Sequence, residues 1–265
     1  MEMVSASKMR RAQQHVLAAR PYAERLREMI AELAVRPGPE WESHPLLQKR
    51  EARNHIGLIV MTSDRGLCGS LNSNVIRRAT ADMLEYGGPA ASEVITVGRR
   101  GQDFMVRRGV HLQATFTYLG DQPGVVAAQP IARVIMDSFL NRQIDAAFVV
   151  YPKFVNTLTQ RVTVDQILPV VPEQGTVSHK DYIYEPTLEE ILSELLPRYV
   201  EVQIYQALLE TIASEHSARM IAMRNATDNA KDLISTLTLV YNKARQAAIT
   251  KELAEIAAGA GALSG

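Results

Sequence analysis

The sequence predicts an α/β protein, an antiparallel coiled coil of its N- and C-terminal helices plus a doubly wound, mostly parallel α/β domain. Three observations predict it. Residues 198–258 contain neither glycine nor proline, a span far beyond the usual helix of about 11–12 residues. Apolar residues at both ends of the chain repeat in alternating steps of three and four. Between the ends, short apolar runs alternate with helix-period segments, the pattern of strands joined by crossover helices.

The C-terminal seam runs Met220, Met223, Thr227, Ala230, Ile234, Leu237, Tyr241, Ala244 and Ala248, widened on one flank by Ala226, Leu233, Val240 and Ala247. A sustained period of about 3.5 residues specifies a left-handed coiled coil, and the many small seam residues allow a partner helix to approach closely. The N-terminal segment supplies that partner with Met9, Ala12, Val16, Ala19, Ala23, Leu26, Ile30 and Leu33 in the same alternation. Pro21 falls inside this helix and removes one hydrogen bond, so a bend is expected there rather than a break. The plainer reading, two core helices of an ordinary bundle, is disfavoured because a helix through 198–258 would run roughly 90 Å and overhang such a bundle.

In chain order, the first helix stops near Val35 because Pro37, Gly38 and Pro39 cannot continue it. Trp41 follows in a loop and is expected to pack down on the body. The continuous apolar run 55–61 reads as a strand buried on both faces. After the turn TSDRGLCGSLN (62–72), Asn72 or Ser73 is placed to cap a helix reaching about Tyr86. Further strands are expected at 94–97, 113–118, 146–151 and, as an alternating edge strand, 161–168. Helices are expected at 99–108 and 125–142, and the C-terminal helix begins around Pro186. The resulting domains are 1–35, 36–185, 186–258 and a tail, 259–265.

Composition excludes several classes. Lys plus Arg equals Asp plus Glu at 29 each, which gives no electrostatic ground for nucleic acid or an anionic membrane. A single cysteine, Cys68, excludes an internal disulfide framework. No run of 18 apolar residues is present, so no membrane-inserted helix is expected. The basic, serine-bearing start superficially suits a targeting segment, but its heptad continues unbroken into 23–33, which favours mature helix.

Candidate chemistry is sparse. The turn Asp64–Gly69 sits where doubly wound proteins bind phosphates, yet it lacks both the dinucleotide and the P-loop glycine spacings. Cys68 lies near a helix start without a histidine at helical spacing. The six histidines are scattered, with no pair on one helical face as a zinc site of that type needs. Glu189, Glu190, Glu194 and Glu201 read as a solvated helix face. No catalytic, cofactor or metal site is expected.

Four segments carry a resemblance: MVSASKMRRAQ (3–13), TSDRGLCGSLN (62–72), SARMIAMRNATDNA (217–230) and LVYNKARQAAITKELAEI (239–256). In their order they resemble the gamma subunit of F-type ATP synthase. The resemblance implies a non-catalytic central rotor shaft. It would turn inside a hexamer of catalytic and non-catalytic subunits, with an epsilon-type rotor subunit and a membrane proton ring as further partners, at the cytoplasmic face of the bacterial plasma membrane. It implies that Arg245, Gln246 and Thr250 contact loops of the sleeve, and that Met1 and Arg219 face the lever region of a catalytic subunit. It also implies that Tyr182, Tyr184 and Glu185 belong to a foot resting on the ring. Members of that family begin several helical turns upstream of the position matching Met1, so a translation start upstream is expected. Two other classes stay open: a ligand-binding α/β module, marked by thermal stabilisation with nucleotides or phosphates, and a coiled-coil scaffold, marked by homodimerisation through the seam.

Overall fold

A five-stranded sheet in the order β3-β2-β1-β4-β5 is the platform on which the N-terminal helix and the first part of the C-terminal helix, up to about Met220, lie. The computed structural model describes residues 1–34, 41, 43–50, 54–172 and 187–263. The strands are β1 (Ile56–Met61), β2 (Ser92–Val97), β3 (Leu112–Phe116), β4 (Ala146–Phe154) and β5 (Gln160–Leu168). The helices are α1 (Glu2–Ala34), α2 (Leu71–Glu85), α3 (Arg99–Arg107), α4 (Gln129–Leu140) and α5 (Leu188–Leu263). β1 pairs in parallel with β2 and with β4, and β2 in parallel with β3. β5 pairs with β4 antiparallel at one edge, as its alternating sequence predicts.

Every residue of β1 is buried, and alternate side chains enter different cores because strand residues point to opposite faces in turn. Ile56, Leu58 and Val60 join Val75, Ala79 and Met83 of α2 and Met105 of α3. Ile59 and Met61 face α4 through Ile131, Ile135 and Phe139. That second face is also covered by Leu26 and Ile30 of α1 and by Leu196, Val200 and Ile204 of α5, and Trp41 packs into the same core. The doubly wound arrangement is therefore as expected, but one of its helical layers is shared with the coiled coil.

α1 runs through Pro21 without interruption and ends at Ala34. Its buried residues are Ser5, Met9, Ala12, Val16, Ala23, Leu26 and Ile30; of the predicted seam, Ala19 and Leu33 are only half-buried, and Ser5 joins it. Met9, Ala12 and Val16 pack against Leu209 and Ala213 of α5 and Phe154 of β4. Arg20 pairs with Glu210 at 3.5 Å, while Leu26 and Ile30 meet the core beside Leu196 and Val200, so the two helices run antiparallel. At the start of α5 the Glu190 N–H donates to the Thr187 hydroxyl at 3.3 Å, a side-chain cap with Glu189 and Glu190 in the first turn.

Three local expectations are corrected. The residue capping α2 is Ser70, without a side-chain cap bond. Asn72 instead turns its amide back, Oδ1 accepting the Ser63 N–H at 3.0 Å, because that donor at the end of β1 would otherwise lack a partner. The expected helix over 125–142 is two elements, a 3₁₀ turn at Val125–Ala127 and α4, with Pro130 in the first turn of α4. Here proline suits a helix start better than an interior. The third strand ends at Phe116 rather than 118. Beyond it the Tyr118 backbone turns to φ +57° and its N–H donates to Asp64 Oδ2 at 3.0 Å. At the end of β2 only glycine fits, since Gly98 lies at φ +89° and a Cβ there would sit 2.0 Å from the Thr62 carbonyl oxygen.

The chain divides into two units, Met1–Ile221 and Ala222–Gly265. In the second, residues 224–259 are exposed throughout. Leu233, Ile234, Leu237, Val240 and Tyr241 each leave more than half of their surface open.

Candidate functional site

The strand order reverses between β1 and β4, and in open α/β sheets ligands bind at such a switch point, beyond the carboxyl ends of the strands. Here that crevice is occupied by the protein itself. Asp64, the one carboxylate of the first turn, has both oxygens engaged: Oδ1 accepts the Arg99 N–H and Oδ2 that of Tyr118, each at 3.0 Å. The Gly66 carbonyl accepts Nε and Nη2 of Arg219 at 3.2 Å. Cys68 is buried, its Sγ 3.1 Å from Asn72 Nδ2. On the β4 side, Glu210 Oε2 accepts the Phe154 N–H at 2.8 Å and Ser214 Oγ donates to the Pro152 carbonyl at 2.8 Å. α5 thus reaches both the turn after β1 and the end of β4 at the switch point.

Beside the filled crevice an open cleft of about 340 Å³ remains, bounded by Met1, Val4 and Lys8 of α1, the 65–67 turn, Arg100, Asp121, and Glu215, His216 and Arg219 of α5. Met1 and Arg219, predicted to act together, line it from opposite helices. Met1 is 78% exposed and Arg219 9%, so an exposed apolar side chain and a buried guanidinium share the cleft. Arg219 pairs with Glu215 one turn earlier on α5, and its Nη1 lies 3.4 Å from His216 Nδ1. His216 Nε2 sits 3.2 Å from Asp121 Oδ1 but without the alignment of a hydrogen bond. Asp121 accepts instead from Lys8 Nζ at 2.6 Å.

Burial lowers the His216 pKa below its ordinary value, opposed by the Asp121 charge and assisted by Arg219 and Lys8. Burial works against the Asp121 carboxylate too, but the Lys8 hydrogen bond and the His216, Lys8 and Arg65 charges outweigh it and hold its pKa low. Glu215 is pushed up by burial, although Arg219 pulls it down. The cleft therefore combines an ionised aspartate, a neutral imidazole and a fixed guanidinium. These groups suit a charged, partly apolar protein surface and offer no arrangement of nucleophile, base and oxyanion donors.

The protein-family model described as ATP synthase matches residues 1–263. The ATP synthase gamma chain of Chloroflexus aurantiacus is 53% identical over 266 residues, covering 100% of this chain and 92% of that one. The chain belongs to the ATP synthase gamma-chain family. The gamma chain of Dehalococcoides mccartyi is 50% identical, again over 100% of this chain and 92% of its own length. Among solved structures, the central stalk and c-ring of Tetrahymena thermophila mitochondrial ATP synthase superposes with a TM-score of 0.65 at 26% identity, covering 86% of this chain and 97% of that one. A Euglena gracilis mitochondrial ATP synthase chain shares the fold at TM-score 0.60 and 19% identity, covering 97% and 95%.

Of the residues the gamma-chain resemblance marks, Arg245, Gln246 and Thr250 lie on the exposed helix of the second unit. The Thr250 hydroxyl donates to the Gln246 carbonyl at 2.9 Å, which leaves the Arg245 and Gln246 side chains as the outward polar groups. Tyr182, Tyr184 and Glu185 lie outside the described residues. Sequence reasoning missed Asp121, Glu210, Ser214, His216 and Ser217. Steps of four and three put 210, 214 and 217 on one helical face, but in sequence that polar face reads as a solvated one.

Proposed function

We propose that this chain is the central rotor shaft of an F-type ATP synthase, transmitting proton-ring rotation to the catalytic sites of the surrounding hexamer. Family membership across the whole chain carries the reading. The filled nucleotide crevice supports a shaft that performs no bond chemistry itself, and it disfavours a ligand-binding α/β module. A helix whose faces differ offers different side chains to each subunit of a three-fold sleeve, so each subunit is held in a different conformation. Energy passes as differential contact free energy between those conformations.

In this reading residues 1–35 and 186–258 are the shaft, 36–185 the α/β domain, and 259–265 a tail at the apolar tip. The exposed Arg245 and Gln246, with Thr250, meet the loops of the sleeve, and Met1 with Arg219 meets the lever of a catalytic subunit. Tyr182, Tyr184 and Glu185 form the foot against the proton ring, beside an epsilon-type rotor subunit. Among the described residues no helix is long and apolar enough to cross a membrane. In this reading the chain acts peripherally, at the cytoplasmic face of a bacterial plasma membrane. Purification of the chain from its native membrane tests this. It should bring down three copies each of two larger nucleotide-binding subunits, and recovery as a free homodimer would sink the reading in favour of a scaffold.

A further inference from the structure

Between Glu210 and Arg219, α5 buries an unusual number of polar side chains: Glu210, Thr211, Ser214, His216, Ser217 and Arg219. Three of them reach the same piece of backbone. Glu210 Oε2 accepts the Phe154 N–H at 2.8 Å, Ser214 Oγ donates to the Pro152 carbonyl at 2.8 Å, and Ser217 Oγ donates to the Thr157 carbonyl at 2.6 Å. Steps of four and three place 210, 214 and 217 on one face of the helix, and the groups they bind lie at the end of β4 and in the turn toward β5. Arg20 of α1 pairs with the other Glu210 oxygen at 3.5 Å, and Gln160 Nε2 donates to Ser217 Oγ at 3.3 Å.

An apolar seam already joins α1 to α5 in this region, through Met9, Ala12, Val16, Leu209 and Ala213. Apolar contact is non-directional, so it resists separation better than it resists rotation of a helix about its own axis. Hydrogen bonds weaken steeply with misalignment, and a buried group pulled off its partner is left unsatisfied. Rotation of α5 against the sheet would misalign all three bonds at once.

We propose that Glu210, Ser214 and Ser217 lock α5 rotationally to the α/β domain, so that torque entering at the domain reaches the shaft without slip. They are positioning residues for rotary coupling, and the proposal rests on the rotor reading above. The test uses the assembled enzyme with a nanorod attached through Arg107→Cys, an exposed position on α3, while the native Cys68 stays buried. ATP-driven rotation of the otherwise unaltered complex comes first; its absence would fail the shaft reading and not the lock. The angular width of the rod is then recorded in stalled complexes, far below the unfolding temperature, where a loss of stability alone leaves it unmoved. A Ser214→Ala/Ser217→Ala pair and Glu210→Met should each lose torsional stiffness and broaden the distribution. Glu210→Gln keeps an acceptor for the Phe154 N–H and should retain it, as should Thr238→Ala, whose exposed hydroxyl donates to the Ile234 carbonyl of its own helix. If Glu210→Met does not assemble, the serine pair decides. An unchanged width in the serine pair overturns the proposal, and so does a Glu210→Gln distribution as broad as that of Glu210→Met.

Discussion

His216 is 2% exposed, and the groups around it, Asp121, Arg219, Lys8 and Glu215, decide how it titrates. Its folded-state pKa is lowered from 6.5, first by burial. The unfolded chain therefore binds more protons than the folded one below that value. Stability from this group is complete above about pH 6.5 and is lost as pH falls through and below it. Asp121 is the neighbour holding the imidazole pKa up, so Asp121→Asn should shift the His216 titration to lower pH, read by NMR. An unchanged or upward-shifted titration would show that Asp121 does not hold the imidazole pKa up. Arg219→Met strands the Glu215 carboxylate and the Gly66 carbonyl, and breaking a buried pair in this way costs about 3–5 kcal/mol. Burial already raises the Glu215 pKa above 4.5, and loss of the guanidinium raises it further. The folded variant then holds its proton at a pH where the unfolded chain has released it. The deficit should therefore grow in urea titrations as pH rises above the ordinary carboxylate range toward the raised pKa of Glu215, and a pH-independent deficit would remove Glu215 from the account.

At the scale of elements, the α1–α5 seam depends on small residues. Ala213 is fully buried against Met9, Ala12 and Val16, so Ala213→Leu overpacks the contact and should cost about 1–3 kcal/mol. Ala230, which unlike Ala213 belongs to the predicted C-terminal seam, is exposed, and Ala230→Leu should stay within about ±0.5 kcal/mol. Equal losses in thermal unfolding would mean that the seam is not what Ala213 serves. The contrast also marks what was legible beforehand. The period of α1 named Met9, Ala12, Val16, Ala23, Leu26 and Ile30 because a helix records in its sequence which face it buries. Past residue 223 the same period persists without burial, since periodicity announces a seam without naming its occupant. β1 was legible as a strand covered on both faces from its unbroken apolar run. Asn72 was misread as a cap because its side chain serves a cap or a distant backbone donor equally well. Glu210, Ser214 and Ser217 were invisible for a related reason: on a helix they resemble a solvated face until β4 supplies backbone groups for them to meet.

For the whole molecule, stability and function should separate along α5. Arg245 and Gln246 are exposed, so replacing both with alanine should alter stability by no more than about 0.5 kcal/mol each. ATP-driven proton pumping by the assembled enzyme should nevertheless weaken, and full pumping at equal assembly would remove them from the sleeve contact. The same separation predicts where the isolated chain is vulnerable. A side chain such as Leu237 or Val240 stabilises by roughly 1.5–3 kcal/mol when buried, and in the Ala222–Gly265 unit these residues are 57% and 56% exposed. A helix without tertiary burial opens at low free energy, and its exposed Lys231, Lys243, Arg245 and Lys251 are tryptic sites. Brief trypsin treatment of the isolated chain should therefore cut first at these positions and spare the strands of the Met1–Ile221 unit, whose core is buried on both faces of the sheet. The proposed rotor role puts the same helix inside the sleeve of the assembled complex, where the four sites should become resistant while exposed loops of the first unit remain open. Peptide mapping distinguishes the outcomes. Resistance of these sites in the free chain would mean that the helix is stable without a partner, and continued cleavage in the complex would mean that the sleeve does not surround it.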